Sequence, residues 1–152
     1  MREDRVPRVA AILGAAGLIP FLAGAGFLLL GPPAPFVFQA LVAYGAVILS
    51  FMGAVHWGLA MQLAREHGPH GADRWFGVSV VPALLGWAAA LIGLAGGLLQ
   101  ALGLLTAGFV IIYVIDLLAI SAGVAPSWYA RLRLPLSFVV VVCLAAAALA
   151  LV

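Results

Sequence analysis

Arginine placement constrains this chain more than any other feature. All seven basic residues are arginines, and they occur in three places: Arg2, Arg5 and Arg8 ahead of the first apolar stretch, Arg65 and Arg74 between the second and third, and Arg131 and Arg133 between the fourth and fifth. The turns at 31–35 and 96–100 carry no charge. If each apolar stretch crosses a bilayer, five crossings put every guanidinium on one side, and the positive-inside rule makes that side the cytoplasm. The N-terminus is then cytoplasmic and the C-terminus periplasmic.

A chain of 152 residues with 66% hydrophobic and 8% charged side chains cannot cover a water-facing surface, which excludes a soluble domain. Five spans of about 20 residues use roughly 100 residues. That predicts an all-α membrane protein, a compact bundle of five transmembrane helices forming a single domain over 1–152, with spans at about 9–30, 36–63, 75–95, 98–120 and 135–152. Little chain remains for an extramembrane domain. The net charge of +2 comes from residues read as headgroup anchors, each worth about 1 kcal/mol near an anionic surface. No contiguous basic stripe interleaved with aromatics is present, so nucleic acid is not an expected partner. Cys143 stands alone in an apolar run and is expected to pack as a small hydrophobe. The first stretch is long enough to span and lacks a convincing cleavage site, so it reads as a retained helix.

Pro20 falls near the middle of the first span and predicts a kink, because it lacks the N–H for one helical bond and crowds the preceding turn. The proline-rich turn at 31–35 stops that helix and favours extended backbone. In the second span Ala46, Ser50, Ala54 and Gly58 recur every fourth residue, a ridge that lets another helix approach closely. A neighbouring stripe of Gly45, Leu49, Met52, Gly53, His56 and Ala60 directs His56 to a helix contact rather than to lipid. Pro82 predicts a bend in the third span. Trp75, and the group Trp128, Tyr129, Arg131 and Arg133, read as belts at the inner interface.

An ionisable side chain near mid-membrane costs about 2.5–3.5 kcal/mol on insertion scales and therefore needs a partner or a purpose. His56 and Asp116 are the two such residues. Counted from the outer ends of their helices they lie at a common depth, roughly 27–30 Å down at about 1.5 Å per residue, which allows an imidazole–carboxylate pair. Tyr113, Ser79, Trp57 and Trp75 fall at similar depth and complete a candidate ligand or proton site open to the cytoplasm. The alternative is structural satisfaction: Asp116 pairing with Arg131 or Arg133, and His56 bonding a backbone carbonyl.

Several chemistries find no support. His67 and His70 are separated by Gly68 and Pro69, which argue against a helix holding both on one ion, so a solvated loop and no metal site are expected. A bis-histidine haem needs two imidazoles on facing spans, and only His56 lies in one. Ser50 is near His56 in sequence but on another face, so no catalytic residue is assigned. No cofactor follows from the residues.

Two segments, YGAVILSFMGAVHWG from Tyr44 and WFGVSVVPALLGW from Trp75, carry a resemblance to the family known as domain of unknown function 3429 (DUF3429), the transmembrane protein 69 type. The resemblance covers most of the chain and implies a small multi-span membrane protein, bacterial here and with mitochondrial relatives. It brings no activity or ligand with it. The expectation is an integral protein of the bacterial inner membrane, most simply a non-enzymatic bundle that binds a partner membrane protein, a second copy of itself, or a small apolar ligand. A small proton-coupled transporter using the His/Asp pair and a membrane enzyme acting on lipid or quinone are the alternatives.

Overall fold

The computed structural model describes residues 5–32 and 34–152; Arg2 of the basic head and Pro33 of the first turn lie outside them. Six α-helices follow one another among these residues: α1 (Arg8–Ala16), α2 (Ile19–Leu30), α3 (Pro35–His67), α4 (Asp73–Leu94), α5 (Leu98–Ser121) and α6 (Trp128–Leu149). There is no strand among them. α1 and α2 are two halves of one span, so the helices make five segments long and apolar enough to cross a membrane. Their outer walls are apolar: Phe36 is 77% exposed, Trp87 64% and Phe138 67%. Such side chains are unfavourable in water and at ease against acyl tails.

Pro20 divides the first span. Without an N–H it cannot bond the Ala16 carbonyl, and the chain tightens ahead of it, with Leu18 N–H donating to the Ala15 carbonyl at 3.1 Å. The result is a break at Gly17–Leu18 rather than a smooth bend. Tyr44 of α3 ties the break down, its hydroxyl donating to the Gly17 carbonyl at 3.0 Å while its ring packs edge-on against Phe21, 5.1 Å between centroids. By contrast, α4 continues through Pro82, which is buried against Gly53 of α3.

Two boundaries differ from the sequence reading. α3 has 33 residues, about 50 Å of helix, longer than a hydrocarbon core of about 30 Å. It runs to His67 and stops at Gly68, whose φ of 84° suits a residue without Cβ. α6 begins at Trp128 rather than near Pro135. A proline suits a helix start, but Pro135 forfeits a single backbone bond, and the run WYARLRL ahead of it is compatible with continuous helix. The extra turns carry Arg131 and Arg133 into the helix instead of leaving both in a loop.

Among the described residues the interior has two apolar clusters. The larger joins Phe21, Leu49, Leu102, Leu105, Phe109, Ile112 and Leu144. The smaller gathers Ala60, Ala72, Trp75, Ala119 and Ala125 where α3 and α5 end and α4 and α6 begin. In α3 about three turns separate Leu49 from Ala60, and in α5 about two turns separate Ile112 from Ala119. His56 and Asp116 occupy those turns, so a polar layer lies between the clusters.

Candidate functional site

Asp116 is fully buried on α5. Its Oδ2 accepts from Nε of Arg133 on α6 at 2.6 Å, and its Oδ1 lies 3.3 Å from Nε2 of His56 on α3. His56 is also fully buried, and its Nδ1 is 3.2 Å from the Met52 carbonyl one turn back. A carbonyl can only accept, so a hydrogen bond at this contact is donated by Nδ1. The Trp75 indole stacks on the imidazole, 6.2 Å between centroids and 18° between planes, and the Arg74 guanidinium lies over that indole, 5.0 Å from its centroid. Side chains of three spans thus meet at one carboxylate.

The packing that brings these groups together begins with glycine. Gly53 sits one turn before His56, and a Cβ there would collide with the Ser79 carbonyl oxygen and lie 3.3 Å from Pro82. That close approach of α3 to α4 brings His56 against Trp75. Further out, Gly86 of α4 seats the Ala46 backbone in the same way, with 2.8 Å from its would-be Cβ to the Ala46 carbonyl.

The nominated residues divide. His56, Asp116 and Trp75 meet as described, and both structural alternatives hold together with the His/Asp approach: Asp116 pairs with Arg133, and His56 bonds a carbonyl. Ser79 is buried nearby, but its hydroxyl donates to the Phe76 carbonyl of its own helix at 2.6 Å. Trp57 is 47% exposed and packs edge-on to Phe76, away from the pair. Tyr113 is half-buried on α5. The ridge of the second span is divided as well: Ala46 is buried against α4, Ser50 is half-buried and bonds the Ala46 carbonyl at 2.8 Å, and Ala54 and Gly58 are exposed. Exposed His67 and His70 flank Gly68, and no cluster of three metal-ligating side chains occurs among the described residues.

Three residues outside the nominated set change the picture. Tyr129, Arg133 and Ser137 are four apart on α6 and line a cleft of about 310 Å³ between the first span, α3 and α6. Gly14, Gly17, Phe21, Val55 and Phe109 line it as well, and none of the six nominated residues does. Tyr129 Oη, Arg133 Nη2 and Ser137 Oγ are buried and make no hydrogen bond within the protein; His56 Nε2, Trp75 Nε1 and Asp116 Oδ1 share that condition. Buried polar atoms are nearly always satisfied, and these six gather around one ion pair. The sequence signal for the first three is their i, i+4, i+8 spacing, which a reading of this stretch as an interfacial belt obscures.

A family model described as "Protein of unknown function (DUF3429)" matches residues 6–149. Transmembrane protein 69 of Xenopus tropicalis is 40% identical over 138 residues, which are 89% of this chain and 51% of that protein. The chain spans about half the length of this curated relative. No solved structure matches it. With five apolar spans and a family match over nearly its whole length, the chain belongs to the DUF3429 family of membrane proteins.

Proposed function

We propose that the protein is a non-enzymatic binding bundle of the bacterial inner membrane, its arginine side toward the cytoplasm, which holds a small apolar ligand in the cleft between the first span, α3 and α6. The observation that carries this reading is the cleft itself: about 310 Å³, apolar over most of its wall, with Tyr129, Arg133 and Ser137 along one side. Ligand sites commonly combine such a wall with a few polar groups at volumes of roughly 300–1,000 Å³. The ion pair fits a polar floor better than a proton relay, because Arg133 already holds the Asp116 carboxylate at 2.6 Å and a relay needs a carboxylate free to exchange its proton along a chain of titrating groups.

Native mass spectrometry of the full chain in a mild detergent tests this. A bound small molecule is expected on the wild type and is expected to be lost from Val55→Phe, which narrows the cleft, while the variant keeps its thermal stability. A wild type that carries nothing, or a stable Val55→Phe that retains the same mass, refutes the reading.

A further inference from the structure

We infer that the cleft receives a neutral amphiphile headed by a carbonyl oxygen, recognised by donors on α6; this rests on the binding reading above and names the chemistry of its ligand. Tyr129 Oη, Arg133 Nη2 and Ser137 Oγ lack partners, and their residues form one stripe along the cleft wall. Nη2 of a guanidinium can only donate, and the two hydroxyls can donate, so the matching group on a ligand is an acceptor. The charge of Arg133 is already met by Asp116 through Nε at 2.6 Å. A second anion would have to be desolvated without a cation of its own, and a neutral carbonyl avoids that cost.

The rest of the cleft fits an apolar body. Leu13 and Phe51 line it yet are 66% and 61% exposed on the outer wall of the bundle, so a molecule dissolved in the hydrocarbon reaches the cleft sideways. Phe21 and Phe109 close its inner end. A volume of about 310 Å³ accommodates a ring with part of a single chain. It is too small for a phospholipid with two acyl chains.

The test uses the full chain in nanodiscs of saturated phosphatidylcholine and three probes of equal chain length: decylbenzoquinone isotopically labelled at its carbonyls, decylbenzene and decyl sulfate. The quinone is expected to bind about tenfold more tightly than decylbenzene, with its carbonyl stretch lowered by hydrogen bonding. The double variant Tyr129→Phe/Ser137→Ala leaves the Asp116–Arg133 pair intact. It is expected to lose most of that advantage and most of the spectral shift while binding decylbenzene as before. Equal binding of decylbenzene and quinone to the wild type overturns the acceptor inference and leaves the apolar cleft standing. Preference for decyl sulfate overturns it in favour of an anionic head. Failure of all three probes to bind overturns both the inference and the reading beneath it.

Discussion

Along the seam between α3 and α4, glycine brings backbone against backbone: Gly53 on the Ser79 carbonyl and Gly86 on the Ala46 carbonyl, with no room at either for a methyl group. Along the seam between α1 and α6 the glycine is Gly14, and what faces it is the tip of a side chain, Leu136 Cδ1 at 2.8 Å from its would-be Cβ. The first seam cannot yield without moving a helix. The second can yield by turning a rotamer, and it is where the cleft lies. In a bilayer the hydrophobic effect does not drive helix against helix, so close packing and polar contacts must hold the bundle together. One side of this bundle relies on packing, and the other on the Asp116–Arg133 pair between α5 and α6 with the Tyr44 bond to the broken first span.

The strongest way to break that contrast is to remove one charge. Asp116→Ala leaves the Arg133 guanidinium buried beside no carboxylate, and a loss of about 3–5 kcal/mol is expected. Joint replacement, Asp116→Asn with Arg133→Met, should recover a large part of it, as read by thermal unfolding of all variants in one detergent. Equal stability of Asp116→Ala and wild type would show that the α6 side is held by something other than the pair.

Gly53→Val comes next. A branched side chain facing the Ser79 carbonyl and Pro82 must push α3 from α4, and about 1–3 kcal/mol is expected by analogy with overpacked cores. The stacking of Trp75 on His56 should loosen with it, seen as a change in tryptophan emission. The smallest effect is expected at the other seam, where Gly14→Ala should stay within about 0.5 kcal/mol because the leucine opposite can turn away. A loss at Gly14 as large as at Gly53 would erase the distinction between the two seams.

Much of the site was legible before the fold. The stripe that His56 shares with Gly45, Leu49, Met52, Gly53 and Ala60 directs it to a helix contact, and all of these residues are buried except Met52, which is half-buried. The depth of His56 matched that of Asp116 by counting along two helices, and the two side chains lie 3.3 Å apart. Ala54 and Gly58 show the limit of such reasoning, since a four-residue ridge says that a helix could approach without saying which one, and only its Ala46 end meets α4. Arg133 was one of two candidates for the carboxylate, and the choice depended on where α6 starts. Beginning at Trp128 turns Arg133 inward, 5% exposed, while Arg131 points outward.

By itself the sequence determined the class: five apolar stretches of spanning length, arginines gathered near alternate ends of them, and a proline that disturbs the first helix. These follow from the cost of polar groups in hydrocarbon and from the missing N–H, both local properties of the chain. Only the tertiary structure decided which arginine the aspartate takes, which end of the small-residue ridge is used, and that the first span, α3 and α6 leave a cleft between them. Each of these depends on the rotation of one helix about its axis relative to another, and that rotation is set by side chains far apart in sequence meeting in space.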